Sequence, residues 1–288
     1  MKVVSLFDGI SCGMIALQKA GINVSKYYSF EIDKHAIEIS KNNYSKIIRC
    51  GDVVNFDFST FKNVNLLIGG SPCQDLSSMG SHKGLKGDKS SLFFEFVRAK
   101  NEINPKYFLF ENNFSMGSKN AEIISSYLGV KPIMINSVDF SAQVRKRYYW
   151  TNIPILNYKP KKLTLRDVYY DEIKHEDITD KVMNYLFSPK YENRKIKQTV
   201  KHSIKTLNEQ SRTITTNSCQ IGVNSGLILN IDGRYYKPNI REFERLQNLP
   251  DNYCDSDLSL NQRVKLIGNG WTVDVIAHIF RGLVENGD

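Results

Sequence analysis

The sequence predicts an α/β fold, a doubly wound and mostly parallel sheet with one antiparallel strand, joined to a small irregular domain. Three observations carry this. Short β-branched or aromatic runs alternate with helical stretches through the first half of the chain, the signature of repeated βαβ units. Several of the runs end in a glycine or an acid. After Trp150 the periodicity fades and cations gather.

Taken in order, "KVVSLF" predicts a strand near 2–7, "YYSFEI" one near 27–32 and "KIIRCGDVV" one near 47–53. "VNLLIGG" and "YFLFEN" add strands near 65–69 and 107–111. "MIALQKAG", "HAIEISKNNY" and "SLFFEFVRAKNEI" supply helices between them. "PIMINSVDF" and "RYYWTNI" are two further strands, and the loop "SAQVRK" between them has no room for a crossover helix. The last strand is therefore expected to be antiparallel to its neighbour. These elements set a first domain at 1–154. A second region at 155–235 is expected to be irregular and basic: in 181–205, Lys181, Lys190, Arg194, Lys195, Lys197, Lys201 and Lys205 face a single acid, Glu192. Order returns with "SRTITT" and a strand at "GLILNID". The helix "IREFERLQNLP" and the helix "VDVIAHIFRGLVEN" after "GNGW" are expected to return to the first domain over 236–288.

Composition narrows the function. Five scattered cysteines without a C-x-x-C pair speak against disulfides and structural zinc, and no metal is expected. A net charge of +9 suits an anionic partner such as a phosphate backbone, although a lysine-rich coding bias raises charge equally well. No apolar stretch approaches the ~18 residues of a membrane span, and "MKVVSLFDGIS" does not read as a secretion signal. The expectation is a cytoplasmic protein with no membrane partner.

The strand tips hold the chemistry, because ligands of open α/β sheets bind at the carboxyl ends of strands. Phe7, Asp8 and Gly9 end the first strand in a turn that exposes backbone N–H groups. Glu31, 23 residues beyond Asp8, can accept from ribose hydroxyls, and Asp52 from an adenine amino group. Each alone reads as a helix cap or surface acid; with the glycine turn they form an adenosine-shaped set. Cys73, stiffened by Pro72, sits where the chain has just left the apolar run "NVNLLIGG", a location suited to a thiolate nucleophile. Glu111 ends the apolar run "FLFENN", and desolvation by Phe108, Phe110 and Phe114 is expected to favour its proton. Arg145 and Arg147 alternate so as to share one face.

The ordered set "FDGISCG", "FEID", "GDV", "GGSPCQDLS", "FLFENN", "QVRKRYYW", "RTITT" and "GNGWTVDVI" resembles the DNA C5-cytosine methyltransferases. Its wording is nearest to the animal de novo branch and its phage or bacterial relatives. The resemblance covers nearly all of the chain outside about 155–210. Two departures stand out: Gly13 follows Gly9 by four residues, and Glu-Asn-Asn replaces the usual Glu-Asn-Val. The resemblance implies a Rossmann-like sheet binding S-adenosylmethionine along Phe7, Asp8, Gly9, Ile10, Gly13, Glu31, Ile32, Asp52, Val53 and Pro72, with Asn269 and Trp271 on the methionine side. It implies that Cys73 attacks C6 of a flipped-out cytosine, that Glu111 steadies a proton at N3, and that Arg145 and Arg147 hold the base. It makes 155–235 the target-recognition region, with Arg212 at its hinge, and Gln74, Ser77, Lys195, Lys197, Arg212 and Thr215 facing DNA. Double-stranded DNA is the implied partner, bound by a monomer near the nucleoid of a bacterium or an infected cell, with a cognate restriction enzyme as a further partner of the same biology. S-adenosylhomocysteine is the implied product. A transfer-RNA cytosine methyltransferase with the same site, and a DNA-binding regulator without turnover, are the competing readings.

Overall fold

The computed structural model describes residues 1–71, 92–188, 200–222 and 226–284. Pro72, Cys73, Gln74, Ser77, Lys190, Arg194, Lys195 and Lys197 lie outside the described residues. The described chain divides into two compact units, the first comprising 1–136, 146–157 and 275–288, the second 137–145 and 158–274.

The first unit is a seven-stranded sheet in the order β3-β2-β1-β4-β5-β7-β6. Its elements are β1 (Lys2–Leu6), α1 (Cys12–Lys19), β2 (Lys26–Phe30), α2 (Lys34–Asn43), β3 (Ile48–Gly51), β4 (Leu66–Gly69), α3 (Leu92–Ile103), β5 (Tyr107–Asn113), α4 (Ser118–Leu128), β6 (Ile133–Asn136) and β7 (Lys146–Thr151). β1 to β5 pair in parallel, while β7 is antiparallel to both β5 and β6, as the short loop requires. β1 and β4 read as near-continuous apolar runs because both of their faces are covered. On one face Phe93 and Phe96 of α3 and Ile124 and Leu128 of α4 bury Phe108, Phe110 and Trp150. A side chain such as Phe110, fully buried, contributes about 1.5–3 kcal/mol by leaving water. The C-terminal helix Val273–Val284 adds Ile276, Ile279 and Phe280 to the buried set of this unit. Gly282 lets that helix touch the Pro154 backbone: a Cβ there would lie 1.9 Å from the Pro154 carbonyl oxygen.

The second unit is more regular than its sequence suggests. β8 (Glu176–Asp177), β9 (Ile204–Thr206), β10 (Ile228–Ile231) and β11 (Arg234–Lys237) form a sheet in the order β8-β11-β10-β9, beside α5 (Asp180–Leu186). Its strands are only two to four residues long, too short for alternation to show. "SRTITT" is not a strand but makes one bridge, Ser211 to Gln143. The helix Ile240–Leu246, expected with the rest of 236–288 to return to the first domain, groups with this unit instead, as does a helix the sequence reading did not name, Leu260–Asn269. Gln143 fastens the first of them, its amide donating to the carbonyl of Leu246 and to Gln247 Oε1.

A buried polar knot also holds this unit. Glu242 accepts from the backbone N–H of Tyr170 and Asn239 and lies 2.8 Å from His175 Nε2, and the imidazole stacks on Tyr169 at 5.2 Å between centroids. The hydrogen bond to Glu242 outweighs burial and holds the His175 pKa above the ordinary 6.5. A raised folded-state value means that this contribution to stability is complete below about 6.5 and is lost as pH rises through the higher value. Thermal unfolding of the wild-type chain is expected to lose midpoint across that window, and His175→Gln to flatten the loss; parallel pH profiles for the two would contradict it.

Candidate active site

The end of β1 is strained. Phe7, Gly9 and Ser11 all take the left-handed region, at φ 56°, 57° and 62°, a conformation that costs a bulky residue such as phenylalanine about 1–3 kcal/mol. Such strain persists only where neighbours over-determine it. Glu31, just past β2, supplies one tie: Oε2 accepts from Gly9 N–H, and Oε1 from Ile32 and Asp33 N–H, each at 2.8 Å. Burial raises the Glu31 pKa, and the three N–H groups offset part of that rise.

Asp8 supplies the other. It is 8% exposed, and both of its oxygens are committed: Oδ1 accepts from the hydroxyls of Ser5 and Tyr27 at 2.6 Å, Oδ2 from Ser11 at 2.6 Å and Ser29 at 2.8 Å. Ile10, Gly13 and Val53 are likewise buried, so their side-chain positions belong to the core and only backbone is left to meet a ligand. Ile32 is different: an isoleucine 70% exposed, directly after Glu31. Asp52 is exposed and closes a turn by accepting from Val54 N–H at 3.0 Å. Arg98 of α3 braces that loop, donating to the carbonyls of Val53 and Phe56 and lying over the Phe58 ring.

At the tip of β4, Ser71 is buried and is the last described residue before Cys73. Asn112 Nδ2 donates to the Ser71 carbonyl and hydroxyl, both at 3.4 Å, tying the end of β4 to β5. Asn113 accepts from Ser115 N–H and caps the short turn Phe114–Met116, which accounts for Glu-Asn-Asn. Glu111 does not share a face with Phe108 and Phe110. Alternation along β5 turns those rings into the aromatic core, so they do not desolvate the carboxylate. Its partner is a cation: Arg147 Nε lies 2.9 Å from Glu111 Oε1, with both side chains largely buried. Because β7 runs against β5, its first residues lie at the edge where the parallel strands end, and Arg147 stands opposite Asn113.

β7 begins at Lys146, and Arg145 belongs to the second unit, 5% exposed. Its guanidinium donates to the carbonyls of Ile214, Gly268 and Gly270 at 2.8, 3.1 and 3.0 Å. That neutralises the C-terminal end of the helix Leu260–Asn269, where unpaired carbonyls and the helix dipole favour a cation. Arg145 therefore organises the turn that carries Asn269 and Trp271. Thr215 lies against the same helix end: a Cβ on Gly268 would meet the Thr215 carbonyl carbon at 2.6 Å. Arg212 donates to Ser203 Oγ at 2.8 Å, and burial lowers its pKa.

The first unit thus brings Phe7 to Gly9, Glu31, Ile32, Asp52, Glu111 and Arg147 to one sheet edge, while Arg145, Arg212, Thr215, Asn269 and Trp271 are placed by the second. Sequence reasoning missed Ser5, Tyr27, Ser29, Arg98 and Asn112. Ser5 and Ser29 carried a readable signal, a hydroxyl residue in the middle of an otherwise apolar strand. No group of three or more metal-ligating side chains occurs among the described residues, and none of their helices is long and apolar enough to cross a membrane.

M.SPRI, an orphan methyltransferase of Bacillus phage SPR, is 37% identical over 114 residues, 39% of this chain; the chain spans only 26% of that protein's length. M.NgoPII, a type II methyltransferase of Neisseria gonorrhoeae, is 27% identical over 97% of this chain and 94% of its own. Among solved structures, EhMeth of Entamoeba histolytica superposes with a TM-score of 0.79 at 16% identity, covering 100% of this chain and 99% of that one. Dnmt2 of S. pombe does so with 0.75 at 19%, covering 99% of each. At those identities the superpositions establish the fold. The family model for C-5 cytosine-specific DNA methylase matches residues 1–285, and with it the chain belongs to the C-5 cytosine-specific DNA methylase family.

Proposed function

We propose that this protein transfers a methyl group from S-adenosylmethionine to C5 of a cytosine flipped out of double-stranded DNA. The observation that carries the reading is the largely buried Glu111–Arg147 ion pair at the sheet edge that also holds the Phe7–Ser11 turn, Glu31 and Ser71, two residues before Cys73. The nucleoside part of the donor fits that edge. Exposed Ile32 offers an apolar face, Glu31 Oε2 retains an acceptor position beyond the one taken by Gly9, and Asp52 offers a further carboxylate. When bound, S-adenosylmethionine supplies an electrophilic methyl group on a sulfonium sulfur.

The remaining chemistry belongs to the chain. The Cys73 thiolate adds to C6 of the ring, which gives C5 the electron density to take the methyl group; loss of the C5 proton then expels the thiolate and restores the double bond. Glu111 holds the proton at N3 that neutralises the ring during addition. Arg147 fixes the Glu111 carboxylate by its Nε, and its Nη2 has no hydrogen-bond partner among the described residues, leaving a donor for the base carbonyl. Cytosine within a duplex cannot be reached, so the base leaves the stack. Arg212, Thr215, Lys195, Lys197, Gln74 and Ser77 are the proposed DNA contacts, with the lysines on phosphates.

Incubating the purified chain with labelled S-adenosylmethionine and either duplex DNA or total transfer RNA tests this. Label in DNA, retained as 5-methylcytosine, is expected. Label in transfer RNA alone would replace DNA with RNA as the substrate, and label in neither would leave a binding protein.

A further inference from the structure

Asp8 is a carboxylate that the reaction does not use, buried beneath the most strained turn in the first unit. Carboxylates are almost never buried without a partner, and no Lys, Arg or His makes a direct ion pair with this one among the described residues. Four hydroxyls solvate it instead. The Ser11 proton points at Asp8, so in the 2.7 Å contact between Ser11 and Ser40 the donor is Ser40. Ser40 in turn accepts from Arg49 Nη2 at 3.1 Å. The direction of the whole chain is fixed: Arg49 to Ser40, Ser40 to Ser11, Ser11 to Asp8. A half-buried guanidinium thereby balances the buried carboxylate through two hydroxyls.

The four donors do different things. Ser5 lies in β1, and Tyr27 and Ser29 lie in β2; these strands are held to each other by ladder pairs from Lys2↔Lys26 to Leu6↔Phe30, which persist without the hydroxyls. Ser11 lies in the turn, at φ 62°, where no ladder reaches. We propose that Asp8 is a positioning residue for the methyl donor: through Ser11 it locks the left-handed turn Phe7–Ser11 in the shape that presents its backbone to the donor, and its side chain does not touch the donor. This rests on the functional reading above.

The test is calorimetric binding of S-adenosylhomocysteine to the full chain, with the thermal midpoint measured alongside. Ser11→Ala and Ser29→Ala each remove one donor to the same oxygen, Oδ2. Ser11→Ala is expected to raise Kd by about tenfold or more, the loss of one hydrogen bond to a charged group; Ser29→Ala, with a comparable fall in midpoint, is expected to stay within about twofold. Asp8→Asn is expected to follow Ser11→Ala in Kd, and if it does not fold the two serine variants still decide. Equal Kd changes in the two serine variants, or none in either, would overturn the inference while wild-type binding left the functional reading standing. Failure of the wild-type chain to bind would overturn both.

Discussion

Cys73→Ala is expected to abolish methyl transfer, lowering the single-turnover rate by about 10⁴-fold or more, because no other group can replace a covalent nucleophile. C5 of cytosine is not nucleophilic until C6 has been saturated, so the loss falls on the chemical step and not on substrate capture. Duplex binding by gel shift should stay within a few-fold of wild type. A direct readout accompanies the rate: wild-type protein given the methyl donor and duplex DNA containing 5-fluorocytosine should form a denaturant-stable adduct at Cys73, since fluorine cannot leave as the proton does. Methylation by the alanine variant, or an adduct at another residue, would remove the covalent step.

The second large effect concerns the ion pair. Glu111→Gln removes the group that holds the N3 proton and is expected to slow transfer by about 10²–10⁴-fold, with DNA affinity little changed. Arg147→Ala takes from the largely buried Glu111 carboxylate the guanidinium that lies 2.9 Å away, and removing one partner of a buried ion pair is costly. Both rate and thermal midpoint should therefore fall. The double variant should be no slower than the slower single variant, because the two side chains act as one unit. Additive losses, or a collapse of DNA affinity in step with rate in Glu111→Gln, would separate the two residues into independent roles.

Most of the sheet was legible because its strands are buried on both faces and write themselves as apolar runs. The antiparallel strand was legible from loop length alone. What failed was inference about side chains at the joins. Arg145 and Arg147 were read as sharing one face of a strand or loop edge, and β7 begins at Lys146, between them. Phe108 and Phe110 were credited, with Phe114, with desolvating Glu111, although the same period of two places the first two on the opposite face. The helix Leu260–Asn269 was readable and missed: Ser259 and Gln262 form a capping box ahead of its apolar positions. Of the small sheet of the second unit only β10 was readable, in "GLILNID"; strands of two to four residues carry no periodicity. Arg98 and Asn112 gave no local signal, because their role depends on carbonyls 41 to 45 positions away.

A single residue, Lys146, separates an arginine anchored to three carbonyls in one unit from an arginine paired with a carboxylate in the other. An insertion within β7 ahead of Arg147 would shift its register by one position and turn that guanidinium to the opposite face of the strand, away from Glu111. Descendants of this gene can therefore vary the chemistry of Lys146 but not the register of the strand it begins.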